Sequence, residues 1–381
     1  MKLFRDWVYF FNNWWRSVDQ PLIFSILILL SFSSMLVTTA GPAVAAKIGL
    51  IESYFIQKHM VFVFISIMII FSISLLDKKK MIIFGITLLL FDILLLIITK
   101  FYGYEVKGAK RWISLFGFSL QPSELVKPAL IIVNAWLLSI KDDVEFSAIW
   151  VSIGIYAIIA ALVITQPDLG MLITITAVWA IQLFISGMPF ILILICAFLC
   201  FSLITVAYYL LPHVAQRING FLDPDQHENY QVGKSLLAFK NGGIYGRGPG
   251  EGVVKQVLPD SHTDFIFAVA GEEFGAIICS LLICLFAFIV IRGMIHVMRQ
   301  EDKFMIYSCI GLLFQIASQS IINIGVNLNL LPTKGMTLPF ISSGGSSMIA
   351  VSLCFGMLVA LTRRKTNLTK FRAMKFDIGV I

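Results

Sequence analysis

The chain has 381 residues, of which 58% are hydrophobic and only 13% charged, with 32 Phe and a mean hydropathy of +0.89. That is too apolar for a soluble domain of this length, and it identifies an integral membrane protein. The net charge of +7 is a matter of membrane sidedness, described below, and nucleic acid is excluded as a partner.

After a polar N-terminal segment (residues 1–20), apolar spans are predicted near 22–43, 60–76, 81–99, 123–139, 147–165, 170–186, 189–211, 265–292, 304–326 and 345–362. Each is close to the roughly 17 to 25 residues needed to cross a bilayer. The fold class is therefore an all-α integral membrane protein of about ten transmembrane helices, a single polytopic domain over 1–381. Ala43-Val44-Ala45 resembles a signal-peptide cleavage site, but the polar segment before it and the long apolar stretch favour a retained first helix. Cys196, Cys200, Cys279, Cys284, Cys309 and Cys354 all fall in apolar spans, which suggests packing residues rather than disulfides or a zinc site.

More than half of the 29 Lys and Arg lie on one side when the N-terminus is cytoplasmic, including the Lys78–Lys80 run and the tail 363–381. This bias predicts cytoplasmic termini. Residues 100–122 and a large loop at 212–262, between helices 7 and 8, are then periplasmic. The loop carries spaced apolar residues and balanced charge, as in a folded cap. Residues 104–128 interleave Lys107, Lys110 and Arg111 with Trp112, Phe116 and Phe118, the pattern of a chain lying in the headgroup layer.

Four segments at the outer face are polar where a plain bundle is apolar. Arg111-Trp112 precedes "QPSELVK", where Pro122 suits a helix start and Glu124 and Lys127 can pair on one helix face. "QPDLG" (166–170) is an acidic turn, "LPDSHTDF" (258–265) opens a long apolar run, and "PTKGMTLPFISSGGSS" (332–347) collects a Lys, hydroxyls and glycines. A helix start, a tight turn, a cap and a re-entrant loop would account for them singly. Ser261 and Asp264, three apart, suit a capping box. If hydrocarbon begins near Phe274, Asp264 stands about 15 Å above it, at headgroup height. Glu272 and Glu273 must then face protein or a wet cavity rather than lipid. "GGIYGRGPGEG" (242–252) matches neither a dinucleotide fingerprint nor a Walker A motif, which argues against nucleotide-driven transport. It suits a turn whose amides are able to face an anion.

In this order, "KRWISLFGFSLQPSELVK", "QPDLG", "HTDFIFAVAGEEFG" and "PFISSGGSS" resemble the SEDS family (shape, elongation, division and sporulation) of cell-wall polymerases, over essentially the whole chain. "LPTKGMTLPF" is similar to the division type, and "GRGPGEGVVKQVLPDSHTDF" to that type in alphaproteobacteria. The resemblance implies a glycosyltransferase of the inner membrane, at the division septum, that polymerises lipid II, the undecaprenyl-diphosphate disaccharide-pentapeptide. It implies Asp264 as the essential acid and maps motif positions onto Arg111, Trp112, Gln121, Pro122, Ser123, Glu124 and Lys127. Further substrate-binding candidates are Asp168, His262, Thr263, Ser342 and Ser346, with Lys110, Arg247 and Lys334 beside Arg111 for the diphosphate. A divalent cation (Mg or Mn) is an open alternative for that charge. A class B penicillin-binding transpeptidase (FtsI-like) and other division-site proteins are implied as partners. Two positions depart from the family: Ser343 replaces a usual Tyr, and Gly271 a common Ala.

The expected chemistry is an inverting displacement in which Asp264 takes the proton of the attacking hydroxyl. A lipid II flippase, which needs a polar track across the bilayer, and a non-catalytic scaffold are the alternatives.

Overall fold

The computed structural model describes residues 2–106, 109–115, 118–140, 147–188, 230–333 and 335–363, with scattered positions between 191 and 219. The expected span 189–211 and the cysteines at 196 and 200 therefore lie largely or wholly outside the described residues, as do the tail beyond Arg363, the loop stretch 220–229 and Lys334.

In chain order the helices are α1 (Lys2–Ser17), α2 (Gln20–Lys47), α3 (Tyr54–Ser74), α4 (Lys78–Tyr102), α5 (Pro122–Ser139), α6 (Ser147–Thr165), α7 (Leu169–Ile185), α8 (Tyr230–Gly242), α9 (Ile266–Val297), α10 (Lys303–Asn327) and α11 (Gly345–Thr362). Seven described helices, α2, α3, α4, α6, α9, α10 and α11, are long and apolar enough to cross a membrane, and α7 is a shorter apolar helix. The eighteen-residue α5 is buried on nearly every side and packs against α4, α7, α10 and α11. A helix apolar all round belongs in the middle of a bundle. Without a hydrophobic drive between helices in lipid, close packing and polar bonds hold such a bundle together.

The helical class stands, with one addition. Residues read as a chain in the headgroup layer form a three-stranded antiparallel sheet: β1 (Tyr104–Val106), β2 (Ala109–Leu115) and β3 (Phe118–Leu120). Trp112 pairs with Tyr104, and Ile113 with Leu120. Alternation is the reason: Ile113 is buried while its neighbour Ser114 is exposed, a period of two that suits a half-buried strand. The polar N-terminal segment is also helical, and Trp14 donates its indole N–H to Ser74 Oγ at 2.8 Å.

The two ends of the bundle differ in chemistry. One end is tied by charge: Asp19 with Arg292 and His296, Lys78 with Asp302, and Arg363 with Asp77. Asp19 also caps α2 by accepting from Leu22 N at 3.1 Å. Burial pushes its carboxyl up, but the bonds from Arg292, His296 and Leu22 N win and hold it below the usual value. The other end carries the sheet, the turn 166–168, α8 with the turns to 265, and the segment 328–344.

Within α9 the helix breaks at Gly275, whose φ of 75° and ψ of −178° only glycine adopts readily. The glycine-rich stretch before residue 252 plugs the break. Arg247 N and Gly248 N donate to the carbonyls of Glu272 and Glu273, while Ala276 N and Ile277 N donate to those of Gly243 and Ile244. A Cβ on Gly246 would lie 2.3 Å from the Glu273 carbonyl oxygen, so the approach needs glycine. This stretch is thus folded against α9, and its amides satisfy a broken helix.

Candidate active site

Asp264 does not belong to a capping box. The expected helix start at Ser261 fails because 261–265 are turns and α9 begins at Ile266; Ser261 Oγ instead reaches the Lys255 carbonyl at 3.4 Å. Three successive carbonyls of this turn are gripped from other elements. The His262 carbonyl accepts from Ser343 N (2.9 Å), and the Thr263 carbonyl accepts from Ser342 Oγ (2.6 Å). The Asp264 carbonyl accepts from both Asn323 Nδ2 (2.9 Å) and Asn327 Nδ2 (3.0 Å). Asp264 itself is half-buried. Its Oδ2 lies 3.5 Å from where a Cβ on Gly335 would stand, and Gly335 has a φ of +67°. The segment 335–344 therefore begins close against the carboxylate.

That segment is itself fixed from α10 and α11. Asn323 Nδ2 also donates to the Met336 carbonyl (2.6 Å), and Gln319 Nε2 donates to the Thr337 carbonyl (3.0 Å). Thr337 Oγ1 meets Ser347 Oγ, and Ser342 Oγ accepts from Leu338 N at 2.8 Å. Ser346 is buried in the first turn of α11. The departure at Ser343 falls where the backbone N–H, not the side chain, makes the bond to His262. Thr263 N and Oγ1 both donate to the Asp260 carbonyl.

The His262 ring stacks at a tilt against Phe55, centroids 4.5 Å apart, and its Nδ1 is buried without a hydrogen-bond partner among the described residues. Burial pushes its imidazole down to about 4; Asp260 opposes the shift and Lys58 adds to it. His262 is neutral at physiological pH and suits packing or a neutral hydrogen bond.

The Arg111 segment forms a second cluster. Arg111 Nε donates to the Gln166 carbonyl (3.1 Å), one terminal nitrogen donates to the Pro167 carbonyl, and the other stands 3.7 Å from Asp168 Oδ2. Gln121 Nε2 donates to Asp168 Oδ2 (3.3 Å), and Asp168 Oδ1 caps α7 by accepting from Met171 N at 3.0 Å. The first two polar motifs thus meet, and the guanidinium binds the turn. Trp112 is half-buried on the same strand and Lys110 is exposed. One turn into α5, Lys127 Nζ pairs with Glu124 Oε2 at 2.7 Å, both buried, and Ser123 Oγ is buried without a hydrogen-bond partner among the described residues. Pro122 occupies the first turn of this helix, where its missing N–H costs nothing.

The two glutamates at the head of α9 face protein, as their depth demands. Glu272 accepts from Asn241 Nδ2 (3.1 Å) and Val254 N (2.9 Å), and Glu273 pairs with buried Lys255 at 2.6 Å. They anchor the cap. Gly271 has its own explanation: an added Cβ would stand 2.3 Å from the Phe239 ring, which fills the space. Arg247 projects from the same stretch and is exposed.

Sequence reasoning missed a ladder of carboxamides on α10. Gln315, Gln319, Asn323 and Asn327 recur every four residues, all buried, with Gln315 Nε2 donating to Gln319 Oε1 at 3.0 Å. The spacing was visible in "FQIASQSIINIGVN", but uncharged amides stand out little in an apolar span. For a resident metal, no group of three or more His, Cys, Asp or Glu among the described residues offers a site.

Comparison with known proteins places this architecture. A relative from Caulobacter vibrioides, named probable peptidoglycan glycosyltransferase FtsW, is 38% identical over 354 residues, covering 92% of this chain and 91% of its own. A protein of the same name from Pseudomonas fluorescens is 33% identical, covering 90% and 88%. Among solved structures, one described as a peptidoglycan synthase complex coordinating polymerization and crosslinking superposes with a TM-score of 0.75 at 22% identity, over 91% of this chain and 97% of that one. The rod shape determining protein RodA of Thermus thermophilus gives 0.68 at 21% identity, with the same coverage. The sequence model of the FtsW, RodA and SpoVE cell cycle proteins matches residues 20–367, and the chain belongs to that family of multi-pass membrane proteins.

Proposed function

We propose that this protein is a peptidoglycan glycosyltransferase that polymerises lipid II during cell division, with Asp264 as general base. The observation that carries the proposal is the holding of Asp264: the carbonyls of residues 262–264 are fixed by four donors from α10 and the 342–343 segment, beneath Gly335. A carboxylate held in place by its supports is what proton transfer requires. The relatives named peptidoglycan glycosyltransferase FtsW support the reaction class.

In this mechanism the 4-hydroxyl of an incoming lipid II sugar attacks the anomeric carbon of the lipid-linked strand. Asp264 accepts the hydroxyl proton, the new glycosidic bond forms as the bond to the diphosphate breaks, and the configuration inverts. The departing diphosphate needs positive charge. Arg111 is committed to the turn 166–168, which leaves the exposed Lys110 and Arg247 as candidates for that charge among the described residues.

The proposal sets both termini in the cytoplasm, ten spans and the Asp264 end at the outer face of the inner membrane, at the septum. A class B penicillin-binding transpeptidase is the expected partner, in keeping with the synthase complex among the structural neighbours. A flippase requires an open polar path. The α10 ladder extends for about 18 Å at the helical rise, yet its amides bond to each other and to neighbouring backbone.

The test is incubation of the purified full-length chain with lipid II, with and without its transpeptidase partner, followed by separation of the glycan products. Polymer from the wild type and none from Asp264→Asn is the expected result. Equal polymer from both sinks the assignment.

A further inference from the structure

We infer that Asn323 and Asn327 are positioning residues for Asp264, and that Asn327 caps the catalytic helix in trans. This inference rests on the proposed role of Asp264 as base.

A helix begins with N–H groups that lack partners, and a nearby Asp is among the preferred side chains to bind them. Asp264 stands directly before Phe265, the N-cap residue of α9, whose side chain makes no capping bond. The third helical amide, Ala268 N, is shared between the Phe265 carbonyl and Asn327 Oδ1 of α10, each at 3.1 Å. The nitrogen of the same carboxamide donates to the Asp264 carbonyl. One side chain from another helix thus serves the amide that a local cap would serve and holds the residue that would otherwise compete for it.

Asn323, one turn earlier, makes the second link. Its Nδ2 is shared between the carbonyls of Asp264 and Met336. Met336 follows Gly335, so this amide sets how far the Asp264 carboxylate stands from the segment above it. Neither Asn is loose. Both are at most 1% exposed, Asn327 Nδ2 also donates to the Asn323 carbonyl, and Ser235 Oγ holds the Asn327 carbonyl at 2.7 Å. Mutation of either leaves the carboxylate chemically intact and shifts its place. A misplacement of about 1 Å can cost on the order of a hundredfold in rate.

The experiment is steady-state polymerisation of lipid II by the full-length purified chain, under conditions where the wild type is active. The set is Asn323→Ala, Asn327→Ala, their double variant, Asp264→Asn, and Asn134→Ala as a control. The control removes a buried amide of the same kind, bonded to Gln182 and Ser152 in another network. Each single variant is expected to lose roughly tenfold in kcat and the double about a hundredfold or more, with KM within about twofold. Asn134→Ala is expected to keep kcat while lowering the melting temperature at least as much.

If Asp264→Asn is inactive while the Asn variants keep full kcat, the positioning role is overturned and the base assignment survives. A matching kcat loss in Asn134→Ala also overturns it. An active Asp264→Asn overturns the base assignment instead. Should the double variant fail to fold, the two single variants decide.

Discussion

Two polar clusters at one end of the bundle use their charged residue in opposite ways. At the turn 166–168 the Arg111 guanidinium is the clasp, with two of its nitrogens bonded to backbone carbonyls. At the turn 261–265 neutral groups do the clasping, and they take hold of the backbone of the segment that carries Asp264. A charge spent on a main-chain carbonyl is a structural element, whereas a charged residue held by its own main chain has its position set independently of its chemistry. Motif membership alone did not separate the two, because both stretches are polar where a plain bundle is apolar.

The contrast is broken most forcefully at Asp264. Asp264→Asn is expected to cut kcat by about a hundred- to ten-thousandfold in protein that still folds, the usual worth of a general base. A variant that instead unfolds the protein would make Asp264 as structural as Arg111.

Arg111→Lys supplies the converse. A lysine cannot serve two carbonyls and a carboxylate with one fork. The loss of hydrogen bonds from a charged donor destabilises by about 1 to 3 kcal/mol, read as a lower melting temperature. Specific activity of the folded fraction should fall far less than in Asp264→Asn. The ion pair adds little at 3.7 Å and partial exposure, so Asp168→Asn, which keeps an oxygen for Met171 N, should change stability by less than about 1 kcal/mol.

Gly271 sharpens the comparison by marking where the head of α9 tolerates no change. Gly271→Ala forces its methyl against the Phe239 ring and should cost about 1 to 3 kcal/mol as overpacking. Phe239→Leu in the same chain should recover most of it, since a smaller side chain there leaves room for the methyl. Thermal melting of the three variants checks this.

Hydropathy made most of the fold legible. The predicted spans at 22–43, 81–99, 304–326 and 345–362 fall within or nearly coincide with helices, because continuous apolar sequence has few other ways to satisfy its backbone in lipid. The sheet at 104–120 was not legible. Its aromatic and basic residues suit a headgroup layer as well as a strand, and pairing partners cannot be read from spacing. The break at Gly275 was hidden too, since a glycine inside an apolar run signals nothing until another segment donates hydrogen bonds to the carbonyls it exposes. At the site, the acidic and basic residues drew attention, but whether Arg111 points at substrate or at Gln166 is a tertiary fact. The amides that hold Asp264 come from about sixty residues later in the chain, and only folding joins them.

A pH-dependent effect concerns the packing behind Asp264. His262 has its imidazole pushed from the ordinary 6.5 down to about 4, chiefly by burial, with its ring against Phe55. Between those two values the unfolded chain binds a proton that the folded chain refuses, so stability rises with pH there. The contribution of neutral His262 is complete above pH 6.5 and is lost as pH falls from 6.5 toward about 4. His262→Gln cannot titrate. Melting temperatures of the two proteins in detergent should therefore run parallel above pH 6.5 and converge or cross below it, the wild type falling faster. Parallel curves down to pH 4 would mean that the imidazole meets water in the folded protein, and that the turn bearing Asp264 is held by its carbonyls without help from this ring.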